Sequence, residues 1–533
     1  MKRREFLKTA GIAAAWTLSR GALGESRQAP NLLIIHTDEH NVRTLGCYRA
    51  TLPEEQAFIW GRDAVLDTPN IDWLATHGAL CTRYYATTPV CSPSRSALMS
   101  GLYPQNTPVT TNNVPMRDEV VTFAEILRRN GYATGYAGKW HLDGSGKPEW
   151  APQRKFGFTD NRYMFNRGHW KQLEDTPEGP GVKARDAQGQ PTYSVEGADE
   201  KSFTTDFLAD KTADFIDAHK DEPFCFMVSL PDPHGPNAVR PPYDTMFDGM
   251  NFEAPRTFAA PEESVPKWGP KQLKKWPGAS MSKYFGMVKC IDDNVGKILE
   301  ALRRNRLIDN TIIVFTSDHG DMCGEHAREN KGVPYETSAR VALVLCCPQK
   351  VKAGTVVRQA LSCVDFPPTI LRLMGFDATG AEEGRDASAL FTTGKAPAEW
   401  KDIAFMRSTC RPGSPPVWLA AVTSRYKLVF SQNDKPWLFD LEKDPDELVN
   451  FFQHPECRET LRSLSKELIA YCETHNDPAG GEPKYKADLA WAAEGTGEYT
   501  LPPGVQKAEE ASGGGKGAKK GGKKRAKTNE DEE

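Results

Sequence analysis

The chain has 533 residues, of which 39% are hydrophobic and 26% are charged, and its formal net charge at pH 7 is −4. Length and composition are those of a globular protein with roughly two to four domains, which excludes a fibrous or wholly disordered chain. The small negative charge provides no global basic field for nucleic acid, so an anionic ligand has to be held by a local site.

The first 24 residues have the pattern of an export signal. A basic stretch over 2–8 precedes a short apolar run over 11–18, and small residues follow at 22–24. This order predicts a cleaved secretory signal, and the paired Arg3 and Arg4 resemble the twin-arginine export motif. We therefore expect a periplasmic or secreted protein. No other stretch reaches the ~18 apolar residues that a membrane span needs, so stable membrane insertion is not expected.

Short apolar runs alternate with helical patterns through the first 400 residues. The expected strands cover 31–35, 133–137, 224–230, 311–316 and 341–345, and the expected helices cover 121–129, 206–219 and 284–304. Strands that alternate with helices predict an α/β fold with a doubly wound, mostly parallel sheet flanked by helices.

The chain changes character after residue 400, where proline and glycine punctuate short strands. The expected strands there cover 418–423, 427–430 and 437–440, and an expected helix covers 459–475. We therefore predict a large domain over 30–400 and a smaller α+β domain over 401–503. Residues 504–533 hold a Gly/Lys tract with an acidic end, which is typical of a disordered tail. The twelve cysteines form no CxxC pair, so few disulfides are expected.

Polar side chains follow the expected strands of the large domain. They are Asp38 and Glu39 after the first strand, Lys139 and His141 after the second, His234 after the third, Asp318 and His319 after the fourth, and Lys331 ahead of the fifth. In doubly wound sheets, ligands bind outside the carboxyl ends of the strands. We therefore expect these side chains to meet at one edge of the sheet.

Cys91 opens the segment Cys91-Ser92-Pro93-Ser94-Arg95, which continues with a helical pattern over 94–99. A cysteine at the start of a helix lies where backbone N–H groups and the helix dipole favour an anion. Two other interpretations are an inert buried thiol and a phosphatase thiolate loop. The second requires a cysteine and an arginine that stand further apart in sequence.

With its continuation Ala97-Leu98-Met99-Ser100-Gly101, this segment resembles the signature of the formylglycine-dependent sulfatases of the alkaline-phosphatase-like superfamily. The supporting motifs are Gly138-Lys139-Trp140-His141, Pro233-His234, Asp318-His319-Gly320, and Lys331-Gly332 with Tyr335-Glu336. The resemblance covers about residues 30 to 400, with a weaker similarity at 438–445. It implies a sulfatase catalytic domain with an alkaline-phosphatase-like fold.

The resemblance implies that a formylglycine-generating enzyme oxidises Cys91 to Cα-formylglycine (3-oxoalanine), which hydrates to a geminal diol. One diol oxygen then attacks sulfur and displaces the alcohol. Loss of the proton from the second hydroxyl expels sulfate and regenerates the aldehyde. Arg95, one helical turn on, is expected to hold the diol and its loop.

The remaining catalytic roles are also carried over from the resemblance. Lys139 is expected to contact both diol and sulfate, and His141 to take the diol proton. His234 and Lys331 are expected to bind sulfate, and one of them to protonate the leaving alkoxide.

The resemblance also assigns a site for one divalent cation to Asp38, Glu39, Cys91, Asp318 and His319. Carboxylates after two adjacent strands suit Ca²⁺, but His319 replaces a common asparagine and leaves Mg²⁺ or Mn²⁺ open. Glu39 replaces a common aspartate or amide, so it is either a direct ligand or an acceptor behind the ligands. The cation would lower the pKa of the diol and neutralise sulfate oxygens.

A zinc pair of His36 and His40 is a further alternative, but these residues straddle a strand end and not a helix. A mixed aromatic and cationic stretch suits either a sulfated sugar or an ordinary loop; it contains Tyr163, Phe165, Arg167, His169, Trp170 and Lys171.

The predicted function is hydrolysis of sulfate esters, and the expected substrate is a sulfated carbohydrate. Because sulfate and phosphate esters are both tetrahedral anions, a phosphate diester or phosphonate monoester hydrolase is the first alternative. A non-catalytic glycan-binding relative is the second.

Overall fold

A nine-stranded sheet lies at the centre of the computed structural model, which describes residues 29–502. Its strands are β1 (Asn31–Asp38), β2 (Ala79–Tyr85), β3 (Ala133–Lys139), β4 (Met164–Phe165), β7 (Phe224–Pro233), β8 (Thr311–Ser317), β9 (Arg340–Cys346), β10 (Thr355–Val357) and β11 (Leu361–Ser362). Their order is β10-β2-β9-β8-β1-β7-β3-β4, and β11 pairs with β2. A separate hairpin joins β5 (Leu173–Thr176) and β6 (Gly179–Val182).

The centre of the sheet is parallel, as the sequence predicts. Strand β1 pairs in parallel with β7 and β8, and β7 pairs in parallel with β3. Strand β9 runs antiparallel to both β8 and β2. The five expected strands are present, and they end one to three residues later than expected, at Asp38, Lys139, Pro233, Ser317 and Cys346.

Helices cover both faces of this sheet. They are α1 (Gly46–Arg49), α2 (Glu54–Ala57), α3 (Pro69–His77), α4 (Cys91–Ser100), α5 (Phe123–Arg129), α6 (Thr204–Ala218), α7 (Met281–Arg304), α8 (Glu336–Ala339), α9 (Phe366–Met374) and α10 (Ser388–Thr392). Alternate side chains of β1 enter different cores, because strand side chains point to opposite faces. Leu32 belongs to the core that contains Leu98 of α4, whereas Leu33 belongs to the core that contains Ile298 of α7.

A smaller α+β unit follows, as predicted. Its antiparallel sheet has the order β12 (Ala404–Arg407), β13 (Trp418–Val422), β14 (Tyr426–Ser431) and β15 (Trp437–Asp440), and α11 (Arg458–Thr474) and α12 (Pro483–Glu494) complete it. One apolar core contains Tyr85 and Tyr335 together with Trp418 and Phe439. The two sheets therefore share a buried interface.

The expected signal over 1–24 and the expected tail over 504–533 lie outside the described residues. Within 29–502, no helix is both long and apolar enough to cross a membrane. All twelve cysteines lie within this range and all are free thiols, which agrees with the expectation of few disulfides.

Candidate active site

Two buried carboxylates lie at the carboxyl edge of the large sheet. Asp38 is the last residue of β1, and Asp318 directly follows β8. These strands pair in parallel, with Thr37 opposite Ser317, so the two carboxylates leave the sheet at the same level. Both side chains are buried. The predicted meeting of strand ends is therefore present in the structure.

Cys91 begins α4 and faces these carboxylates. Its Sγ atom lies 3.2 Å from His319 Nε2, 3.7 Å from Asp38 Oδ1 and 4.0 Å from Lys139 Nζ. The thiol is buried. The residue predicted as the nucleophile precursor thus lies among the predicted ligands and cations, at a helix N-terminus that favours negative charge.

Arg95 binds the outer oxygen of each carboxylate. Its Nε donates to Asp318 Oδ2 at 2.9 Å and its Nη2 donates to Asp38 Oδ2 at 3.1 Å. Its Nη1 donates to the backbone carbonyl of Lys139 and to Ser229 Oγ, each at 2.8 Å. Arg95 was expected to hold the diol; in this structure it orients the two aspartates and leaves their Oδ1 atoms facing Cys91 and His319.

Four side chains form a group that fits a divalent cation. One ligand atom each from Asp38, Cys91, Asp318 and His319 lies within 4.8 Å of the others. Burial lowers the pKa of His319, but the charges of Asp318 and Cys91 raise it to about 9. The negative charge that surrounds His319 also favours a bound cation. His319 Nδ1 bonds to the Gly320 carbonyl at 3.0 Å, which directs Nε2 into the four-residue group. Two carboxylate oxygens and one imidazole nitrogen suit Ca²⁺, Mg²⁺ or Mn²⁺.

Glu39 lies beside His234 and Lys331. Its Oε2 lies 2.9 Å from His234 Nε2 and 3.1 Å from Lys331 Nζ, whereas its buried Oε1 has no hydrogen-bond partner among residues 29–502. Burial raises the pKa of Glu39, but the charge of His234, which is present only below about pH 4, and the charge of Lys331 hold it well below its usual value. Glu39 is therefore ionised, and it lies outside the four-residue group.

His234 and Lys331 form a hydrogen-bonded pair. Lys331 Nζ lies 2.7 Å from His234 Nε2, and His234 Nδ1 lies 2.9 Å from the Gly235 carbonyl. Burial lowers the pKa of His234 to about 4, although the charge of Glu39 opposes the shift. A neutral His234 therefore donates from Nδ1 to the carbonyl and accepts from Lys331 at Nε2.

His141 is a buried, neutral histidine. Burial and the charges of Lys139 and Arg95 hold its pKa well below the usual value. Its φ of 61° is in the left-handed region, which a non-glycine residue seldom occupies. Neither ring nitrogen has a hydrogen-bond partner in the described part of the chain. Such a ring can accept a proton.

The sequence left the role of His169 open, and the structure brings this residue into the site. Its Nε2 lies 2.5 Å from Lys139 Nζ and 3.7 Å from Asp38 Oδ2, and its ring stacks on His234 at a centroid distance of 3.5 Å. Lys171 is also buried, and its Nζ lies 2.6 Å from Asp232 Oδ1 and 3.4 Å from the backbone carbonyl oxygen of His234. The only sequence signal for either was the mixed aromatic and cationic stretch.

The zinc alternative has no support in the geometry. Both ring nitrogens of His40 lie 3.1 Å from threonine hydroxyls, those of Thr37 and Thr44. Neither His36 nor His40 belongs to a metal-binding group over the range that the structure covers.

Comparison with known proteins identifies the family. The family model described as Sulfatase matches residues 30–376, and the model for the C-terminal part of N-sulphoglucosamine sulphohydrolase matches residues 324–474. The chain belongs to the sulfatase family. The resemblance drawn from the Cys91 segment and its supporting motifs is thereby confirmed.

Individual sulfatases and their structures agree with this. The chain is 26% identical to N-acetylglucosamine-6-O-sulfatase from Bacteroides thetaiotaomicron, over 83% of this chain and 86% of that one. A putative sulfatase from Bacteroides fragilis superimposes with a TM-score of 0.69 and 26% identity, over 86% and 99% of the chains. A phosphonate monoester hydrolase from Agrobacterium radiobacter superimposes with a TM-score of 0.66 and 25% identity, over 84% and 96%.

Proposed function

We propose that this sulfatase hydrolyses sulfate esters of carbohydrates with a formylglycine nucleophile made from Cys91. One observation carries the proposal. The Cys91 thiol lies at the N-terminus of α4 within a buried group of Asp38, Asp318 and His319, and the Lys139 ammonium lies 4.0 Å from the sulfur. The oxidised and hydrated side chain would supply the attacking oxygen in this position.

The metal assignment rests on the same group. Asp38, Asp318, His319 and residue 91 would hold one divalent cation, with Ca²⁺ as the first choice. When bound, the cation lowers the pKa of the hydrated aldehyde and neutralises charge on the sulfate. Glu39 holds Lys331 through Oε2, and its Oε1, which has no hydrogen-bond partner among residues 29–502, is available as a further ligand.

The charge of each remaining side chain indicates its role. Lys139 and Lys331 are the cations that would bind sulfate oxygens. The neutral His141 would take a proton from residue 91. Lys331 Nζ donates a hydrogen bond to His234 Nε2, and we assign protonation of the leaving alkoxide to this pair.

A carbohydrate substrate is supported by a relative and by the wall of the site. The relative from Bacteroides thetaiotaomicron is named as an N-acetylglucosamine-6-O-sulfatase. Beside His169, the Tyr193 ring lies 4.9 Å from the ring of Trp170 and from Lys147 Nζ. Aromatic faces next to a cation suit a sulfated sugar.

A phosphonate or phosphate diester hydrolase is the second candidate, because the Agrobacterium radiobacter hydrolase has the same fold. A panel of 4-nitrophenyl sulfate, phosphate diester and phosphonate esters separates the two. We expect kcat/KM for the sulfate to exceed the others by about 100-fold. A preference for phosphonate would overturn the proposal. Absence of turnover with every ester, in protein whose residue 91 is shown to be the aldehyde, would indicate a non-catalytic glycan-binding protein.

A further inference from the structure

His169 lies in the connection between β4 and β5, and no catalytic role above is assigned to it. The side chain is almost fully buried, at 2% exposure. It lies between Lys139 at the end of β3 and His234 after β7. These are two of the residues assigned to the sulfate ester.

The contact with Lys139 is a hydrogen bond in which His169 is the acceptor. An ammonium group can only donate hydrogen bonds, so Lys139 Nζ donates to His169 Nε2, 2.5 Å away. Lys139 Nζ has a second acceptor in Asp38 Oδ2 at 2.8 Å. Two acceptors on a flexible lysine restrict its ammonium to one position, 4.0 Å from Cys91 Sγ.

The contact with His234 has a different basis. The two imidazole rings are nearly parallel, with an interplanar angle of 13° and a centroid distance of 3.5 Å. The Gly235 carbonyl holds one edge of the His234 ring. The stacked His169 ring restricts its plane, so His234 Nε2 stays directed at Lys331.

We propose that His169 is a positioning residue of the sulfate pocket, which holds the Lys139 ammonium through Nε2 and the His234 ring by stacking. This inference rests on the proposed function, because Lys139 and His234 are placed for a sulfate ester. Histidine meets both demands at once. Phenylalanine would keep the flat ring and lose the acceptor, whereas glutamine would keep an acceptor and lose the aromatic stack.

The test compares His169→Phe, His169→Gln and His169→Ala with the wild type and with His77→Phe, which changes an exposed histidine at the end of α3. Each protein is prepared with its residue-91 modification and metal content measured, and is assayed with 4-nitrophenyl sulfate. We expect His169→Phe to lower kcat by about 100-fold and His169→Gln by about 10-fold, since a displacement near 1 Å costs this much. The inhibition constant for inorganic sulfate should rise in the same order, and His77→Phe should match the wild type.

Three results would overturn the inference. One is activity of both His169→Phe and His169→Gln within twofold of the wild type. Another is a greater loss of kcat in His169→Gln than in His169→Phe. The third is an equal loss in all three variants together with loss of metal and a lower Tm, which would show a purely structural residue. A wild type that is inactive on all sulfate esters would instead refute the proposed function.

Discussion

At the residue scale, burial and neighbouring charge divide the ionisable groups of the site into two kinds. Glu39 and Lys331 stay ionised, because each lies beside a group of opposite charge. His141 and His234 stay neutral, because burial lowers the pKa of each. The site thus combines fixed charges, which bind an anion, with neutral rings, which can exchange protons.

The first prediction concerns Cys91. Protein made with a formylglycine-generating enzyme should contain the aldehyde, so the tryptic peptide 84–95 should be lighter than the thiol form by about 18 Da. Cys91→Ala should have no sulfatase activity. Mass spectrometry of that peptide, together with turnover of an aryl sulfate, checks both. Full activity in a preparation whose residue 91 is entirely unmodified thiol would contradict the mechanism.

The second prediction concerns the cation. Asp318→Ala removes a carboxylate from the four-residue group, and it should abolish activity and stoichiometric metal together. Asp292→Asn is the matched control, because Asp292 is a buried aspartate that caps the start of α3 by accepting from Ile71 N. The control should keep its metal. Elemental analysis of both proteins is the measurement, and retained metal in Asp318→Ala would show that the ligands are assigned wrongly.

At the element scale, α4 connects Cys91 to the sheet. Cys91 is its first residue, and Arg95, one turn later, reaches Asp38 after β1 and Asp318 after β8. The side chains at both ends of these ion pairs are at most 1% exposed. Arg95 therefore fixes the first turn of the helix against the strand ends that carry Asp38 and Asp318.

The third prediction follows from that buried arrangement. Arg95→Lys loses the fork that binds two carboxylates, so it should lower the free energy of unfolding by about 3 kcal/mol in the presence of a chelator. Added Ca²⁺ should restore part of this, since it would neutralise the same carboxylates. Urea denaturation with and without Ca²⁺ measures the effect, with the exposed Arg128→Lys as control. A loss below about 1 kcal/mol would show that the ion pairs contribute little.

At the scale of the whole molecule, a buried ion cluster joins the two sheets. Lys427 of β14 lies 2.8 Å from Glu336 of α8 and 2.7 Å from Glu447. Two acids share this one lysine, which is fully buried. Burial raises the pKa of Glu447 to about 7, and the charge of Glu336 adds to the shift.

The fourth prediction is the pH dependence of this interface. The pKa of Glu447 in the folded protein exceeds its unfolded value near 4.5. Its contribution to the free energy of unfolding is therefore fully present below pH 4.5 and is lost as pH rises through 7. Glu447→Gln should reduce the loss of unfolding free energy between pH 5 and 8 by about 1–2 kcal/mol. Urea denaturation over this range measures it, and the exposed Glu442→Gln should retain the wild-type slope. A Glu447→Gln slope equal to the wild type would refute the assignment.

The fifth prediction concerns export, and we propose the twin-arginine route. That pathway carries folded proteins, whereas Cys91 is buried once the chain has folded. The modifying enzyme must therefore act before export. Arg3→Lys combined with Arg4→Lys should leave an active, modified sulfatase in the cytoplasm. Cell fractionation with the peptide mass assay tests this; normal export would refute the pathway, and an unmodified stranded protein would refute the order of events.

The sequence by itself determined the α/β class and the positions of most site residues. Apolar runs end where polar residues begin, so the sequence alone places Asp38, Lys139 and Asp318 at strand ends. Parallel strands bring such ends to one edge, which is a property of the sheet and not of side-chain packing. Local pattern and general topology were sufficient for these residues.

Only the tertiary structure decided which groups Glu39 contacts, that Arg95 binds both aspartates, and that His169 lies in the site. These contacts join residues that are far apart in sequence, such as Glu39 with Lys331 and His169 with His234. Their geometry depends on how a connecting segment packs over the sheet edge, and no periodicity in the segment encodes that. A histidine in a loop has the same sequence signature whether it points to solvent or to a buried lysine, so its role appears only when the chain is folded.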